Sequence, residues 1–211
     1  MSPPQEQMTN PFGMDTACTN CPDLVEHRAG IVHGYGDVTA DFLFIRDRPL
    51  SGAVSRGHPL GNPDDPGSLY DIVDRCGFLD FDEPGAESPI LRNAYVTHRT
   101  RCRHPDREAT EEEISNCNPF LTAEIRSINP EILVPIGDPT VPSIVAEYSR
   151  EDPTAISATD HHGQEIRGRG FEIVPIQTPE SMDGREIEST VTSLSSILDR
   201  DYRQTKGRRR R

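Results

Sequence analysis

The hexapeptide "DFLFIR", Asp41 to Arg46, is the first apolar run of the chain, and its reading decides the fold. Four consecutive apolar residues closed off by charges are too short for a helix and suit a strand buried on both faces. The stretch that follows, "PLSGAVSRGHPLGNPDDPG", is so dense in Gly and Pro that it must be loop. Three further segments read as strands: "NAYVTH" (93–98), "EILVPIG" (131–137) and "FEIVPI" (171–176). Helical patterns fall between and after them. "SLYDIVDRCGF" begins at a Ser68 N-cap and places Leu69, Ile72, Val73 and Cys76 at helical spacing. "TEEEISNCNPFLTAEIRSI" opens with a capping box, Thr110 with Glu113, and Pro119 is expected to disturb or divide it. "DPTVPSIVAEYS" is a helix entered through prolines, and "GREIESTVTSLSSILDRDY" closes the fold with apolar Ile187, Val191, Leu194 and Leu198.

Strands alternating with helices predict an α/β fold with a mostly parallel central sheet of about four strands, covered by helices on both faces. Ligands of such sheets bind beyond the carboxyl ends of the strands. The candidate site loops are therefore "RDRPLSGAVSRGHPLG", "HRTRCRHPDR", "GDPT" and "QTPES". Residues 1–16 are polar and Pro-rich and are expected to be poorly ordered. A single domain is expected over 17–203, and 204–211 form a basic tail ending in "RRRR".

The chain is acidic, with 35 Asp and Glu against 22 Lys and Arg, a formal net charge of −13, and Lys206 as its one lysine. Such a surface holds hydration in concentrated salt, where repulsion between carboxylates is screened, so a halophilic setting is expected. No apolar run has the length of a membrane span and the first residues do not read as a signal segment, which points to a cytoplasmic protein away from membranes. In a reducing compartment its five cysteines are expected to bind metal rather than pair as disulfides. Cys18 and Cys21 lie in "CTNC", a spacing that aims two thiolates at one centre, and Cys102 and Cys117 form a second, wider pair. Spacing alone leaves a zinc ion and an iron–sulfur cluster both open. Cys76, on an apolar helix stripe, reads as a small core residue.

The order "CTNC", "GIVHGYGD", "GHPLG", "YVTHRTRCRHPDR", "EEISNCNPFL", "INPEILVPIG" resembles the iron–sulfur uracil-DNA glycosylases, usually called family 4, from about Cys18 to Ser181. The resemblance implies a three-layer α/β/α sandwich, a [4Fe-4S] cluster on Cys18, Cys21, Cys102 and Cys117, and hydrolysis of the N-glycosidic bond of a flipped-out uracil in DNA. The pocket motifs depart from the family pattern. Where the family has roughly GEGPG, this chain has "RDRPL", with Asp47 at the Glu. Where it has GRPFVG, this chain has "GHPLG", with Leu60 nearest to the base-stacking Phe. His98 stands for the Asn that reads uracil, and Thr178 stands for the His that stabilises the departing base.

These correspondences make Asp47 and His98 the candidate catalytic residues and Leu60 and Thr178 the candidate base-pocket residues. The alternatives are an Asp47 paired with Arg46 or Arg48 at the surface, and a solvent-facing or phosphate-contacting His98. The resemblance also lays Arg99, Arg101, Arg103, His104 and Arg107 along the DNA backbone as a cationic footprint. The same cations could instead offset the charge of four thiolates. The expected function is a monomeric DNA glycosylase of base excision repair acting on uracil or another deaminated base. The alternatives are a catalytically inactive DNA-binding relative and an iron–sulfur protein with no role on nucleic acid.

Overall fold

Every residue of the opening strand is buried, because both faces of the sheet it joins are covered. In the computed structural model, residues 5, 7–65, 67–80, 89–200 and 202 are described. The elements run α1 (Pro22–His27), β1 (Tyr35–Gly36), β2 (Phe42–Arg46), α2 (Ala53–Arg56), α3 (Leu69–Arg75), β3 (Leu79–Asp80), β4 (Ile90–Leu91) and β5 (Ala94–His98). They continue with α4 (Glu111–Ile128), β6 (Ile132–Pro135), α5 (Val141–Tyr148), β7 (Ile166–Arg167), β8 (Glu172–Ile173) and α6 (Gly184–Leu198).

Among the described residues the main sheet has six strands in the order β1-β5-β2-β6-β8-β7. The four central strands are parallel and are those expected from the apolar runs. The edges β1 and β7 are antiparallel two-residue strands, too short to leave a pattern in the sequence. β3 and β4 pair separately as a small hairpin.

The period of two sorts side chains into two cores. Phe42, Phe44, Val96, Ile132 and Val134 face α3 and α6, packing with Leu69, Ile72, Val73, Leu194 and Ile197. Leu43, Ile45, Tyr95, Leu133 and Ile173 face the other way, onto Leu121, Ile125 and Ile128 of α4 and Ile144 of α5. The result is a three-layer α/β/α sandwich. Each buried Leu, Ile or Phe contributes roughly 1.5–3 kcal/mol from apolar burial, which sets the register of β2 between its two neighbours. No helix among the described residues is long and apolar enough to cross a membrane.

Two expectations are corrected. Helix α4 runs unbroken through Pro119. The proline sits on the exposed side, where water can serve the carbonyl it leaves unpaired, while Cys117, Leu121, Glu124, Ile125 and Ile128 bury the opposite face. Nor does the N-terminal segment lack structure throughout. Thr9 bridges Tyr35, Asn10 N–H bonds to the carbonyl of Gly34, Gly36 N–H bonds to that of Met8, and Met8 packs against the core. The basic tail at 204–211 lies outside the described residues.

Candidate active site and metal centre

The loop after β5 carries Cys102 into contact with the segment around α1 and with α4. Cys21 directly precedes α1, Cys117 lies two turns into α4, and Cys102 follows β5 by four residues. All are free thiols. Arg28 ties the set together, donating through Nη1 to Cys102 Sγ at 3.1 Å and through Nη2 to the Cys18 carbonyl at 2.8 Å. The Arg101 amide points at Cys117 Sγ at 3.5 Å, and Asn116 Nδ2 points at Cys21 Sγ at 3.7 Å. Burial pushes the thiols of Cys21, Cys102 and Cys117 up, and their mutual proximity, with Cys18 among them, adds to it. Three thiols raised in this way ionise together only around positive charge. Among the described residues no three of the sulfurs lie within 4.8 Å of one another.

The cationic side chains around Cys102 are mostly spoken for. Arg101 is buried, with its guanidinium 3.6 Å from the centre of the Phe120 ring and its Nη1 3.0 Å from His33 Nδ1. Arg107 binds both oxygens of Glu113 and also Asp23. His104 stacks on His27 and accepts a hydrogen bond from the Asp106 amide. Arg103 makes only a long contact, 3.5 Å, to the Pro49 carbonyl. Of the five residues expected to line DNA, Arg101 is turned inward and Arg107 is committed to ion pairs with Glu113 and Asp23, and among the described contacts Arg103 is the cation least engaged.

At the carboxyl ends of β2 and β5 a second constellation forms. Asp47, with its side chain 18% exposed, pairs with Arg99 Nη1 at 2.9 Å rather than with Arg46 or Arg48. Arg99 also donates to the Pro139 carbonyl in the "GDPT" loop. Burial raises the Asp47 carboxyl above its ordinary range, while Arg99 and Arg48 pull it back down. His98 is not at the surface. It is 1% exposed, neither ring nitrogen has a hydrogen-bond partner among the described residues, and burial together with Arg46 pushes it down to about 3, so the ring is neutral.

Arg46 lies opposite His98 in the parallel register and shares its face of the sheet. Its Nη2 donates to both carboxylate oxygens of Glu180 at 2.7 Å, while its buried Nη1 has no partner. Glu180 comes from the short 3₁₀ turn Pro179–Ser181 that follows β8. With Leu50, Ser51, Gly61, Asn62 and Ser68 it lines a cavity of about 440 Å³. A roomier hollow of about 560 Å³ beside α5, lined by Pro142, Ser143, Ala146 and Pro153, holds none of these groups, so volume alone does not mark the site.

The family described as "Uracil DNA glycosylase superfamily" matches residues 33–182. The chain belongs to that superfamily. It is 33% identical over 122 residues to a type-4 uracil-DNA glycosylase of Thermotoga maritima, covering 57% of this chain and 56% of the relative. A type-4 uracil-DNA glycosylase of Archaeoglobus fulgidus is 25% identical over 122 residues, covering 57% and 55%. A type-5 uracil-DNA glycosylase of Pyrobaculum aerophilum is 20% identical over 201 residues, covering 87% of each chain. The chain thus spans little more than half the length of the type-4 relatives it matches.

Of the two base-pocket candidates, Leu60 and Thr178, the structure corrects the first. Leu60 is completely buried in the core cluster with Phe44 and Leu69, leaving no face for a base, so its role is packing. Thr178 is exposed at the start of the Pro179–Ser181 turn, close against Gly137, whose φ of +80° and missing Cβ make room for it.

Arg46, Glu180 and Glu124 were not anticipated as site residues. For Arg46 the signal was present: a charge closing a buried run, two residues on from Phe44 and on the same face. Glu124 stands on the apolar stripe of α4, bonded by Tyr95 and Thr97, and burial raises it to about 7. Gly34 lies so near that any side chain there would collide with Glu124 and Tyr95.

Proposed function

We propose that this protein is a DNA glycosylase of base excision repair that hydrolyses the N-glycosidic bond of uracil or another deaminated base. The observation that carries the reading is Asp47: a half-sheltered carboxylate fixed by Arg99 at the carboxyl end of the central strand, where ligands of such sheets bind. Cleavage builds positive charge on the sugar and negative charge on the base, and a positioned carboxylate stabilises the first or orients water. Arg99 keeps Asp47 aimed and favours its ionised form against the pull of burial.

Cys18, Cys21, Cys102 and Cys117 are proposed to hold a [4Fe-4S] cluster. A single tetrahedral zinc with bonds of about 2.3 Å would gather its sulfurs to within about 3.8 Å of one another. The wider spread found here suits a polynuclear centre, and the N–H groups aimed at three of the sulfurs suit thiolates. Such a cluster would tie α1, the loop after β5 and α4 into one unit. Arg28 and Arg101 would offset its charge.

The test is incubation of anaerobically purified protein with uracil-, hypoxanthine- and xanthine-containing DNA in concentrated salt. Abasic product from any of the three, lost in Asp47→Asn, is the expected result. A second reading, a DNA-binding relative without turnover, is favoured by the neutral, sealed His98 and by Thr178 in place of a charged stabiliser. Salt-sensitive binding to the same DNA with no abasic product would select it.

A further inference from the structure

Among the described residues, Nη1 of Arg46 and both ring nitrogens of His98 are buried without a hydrogen-bond partner at the carboxyl end of the sheet, with Arg99 Nε and Thr140 Oγ1 in the loops beside them. Arg46 and His98, 3% and 1% exposed, sit opposite each other on neighbouring strands. An unmet buried donor or acceptor costs about 1–3 kcal/mol, and native proteins rarely leave several in one place. Such a group calls for an explanation, and a ligand that meets both residues at once supplies one.

The guanidinium uses half of its fork. Nη2 holds Glu180, and Nη1 is left over. Glu180 is 38% exposed and forms part of the wall of the 440 Å³ cavity, while Arg46 is not part of that wall. The carboxylate stands between the open cavity and the charge behind it. What could replace a carboxylate there is another flat anion.

In the proposed reaction the C1′–N bond breaks heterolytically and its electron pair leaves with the base, as an anion spread over the ring nitrogen and the adjoining carbonyl oxygens. The oxygen of water bonds to C1′, one of its protons passes by way of Asp47 or solvent, and the base is finally protonated. Thr178 carries no charge with which to meet that anion. Arg46 does, and a guanidinium stays protonated in any protein.

We infer that Arg46 is the catalytic residue that stabilises the departing base as an anion, and that Glu180 is a resident carboxylate latch displaced when the base enters. This rests on the glycosylase reading. His98, neutral with one ring nitrogen a donor and the other an acceptor, completes the edge that the base meets.

The experiment compares wild type, Arg46→Gln and Glu180→Gln in single-turnover cleavage of DNA carrying uracil or 5-fluorouracil, a better leaving group. Arg46→Gln is expected to slow uracil release by about 10²–10³ and 5-fluorouracil release clearly less, because a more stable anion needs less help. Glu180→Gln is expected to raise the rate or apparent affinity by roughly fivefold, and this gain vanishes in the double variant. Equal losses on both bases, or Arg46→Gln within threefold of wild type, overturn the inference while leaving the glycosylase reading intact.

If Arg46→Gln does not fold, Glu180→Gln alone decides: it removes a half-exposed group, and an unchanged or lower rate counts against the latch. If the wild type releases no base, calorimetric titration with free uracil separates the two ideas. Tighter binding in Glu180→Gln and none in Arg46→Gln keeps Arg46 as the base ligand and discards the glycosylase reading. Equal binding in all three discards both.

Discussion

The two ends of the loop after β5 differ in kind. At the cysteine end the polar side chains close on one another: Arg28 on Cys102, Arg107 on Glu113 and Asp23, Arg101 on Phe120 and His33. At the His98 end, four residues earlier, buried nitrogens of Arg46 and His98 point at nothing. The first region is a scaffold whose cations brace the thiols, with Arg101 Nε the one buried atom of these side chains without a hydrogen-bond partner among the described residues. The second gathers three such atoms on two facing residues. A basic loop in an acidic protein thus commits most of its charge to internal pairs, while the chemistry proposed above lies at the strand ends.

The sharpest way to break that contrast is to remove a sulfur. Cys117→Ser is expected to abolish bound iron and lower Tm by on the order of 10 °C or more, read by iron analysis and thermal melting. Full iron content in the variant would end the idea that these four residues form one centre. Asp47→Asn tests the other end. Cleavage should fall by about 10²–10⁴ with little change in melting, because the substitution removes a partly buried charge without emptying space. A variant that loses stability and activity together would make Asp47 scaffold as well.

Glu124, beneath the sheet, gives a pH signature. Its carboxyl titrates at about 7 in the fold, above its ordinary 4.5, mainly because it is buried. The native state therefore holds this proton where the unfolded chain has lost it, and the contribution to stability declines as pH rises from about 4.5 to about 7. Glu124→Gln should flatten that part of the stability profile in urea titrations at stepped pH; an unchanged slope would show that another group carries it. The smallest effect concerns DNA. Arg103→Gln should reduce the slope of log affinity against log salt by about 1, and Arg107→Gln, whose charge is already committed to Glu113 and Asp23, should leave it nearly unchanged. Equal reductions would restore the five-residue footprint.

How much could be read from the chain follows from the range of each interaction. The four parallel strands were legible because burial on both faces forces continuous apolar runs. The caps at Ser68 and Thr110 were legible because their partners lie three residues away. Spacing and resemblance suggested the cysteine set, but they were silent on the sheltering of Arg101, since nothing local says that Phe120 lies beneath it. The Arg46–Glu180 pair joins residues 134 positions apart and exists only once β2 and the turn after β8 are neighbours. Leu60 misled because a motif fixes a position along the chain and not the direction of its side chain.

Only three residues stand between His98 and Cys102, all of them in a backbone hooked to β2 and α4: Arg99 N–H on the Arg46 carbonyl, Thr100 N–H on that of Asp47, Arg101 N–H on Cys117. So short a tether cannot absorb a disturbance. Oxidative damage to the sulfurs would be felt at the strand ends within one loop's length, and a preparation exposed to air should lose the proposed activity while its helices and sheet still melt cooperatively.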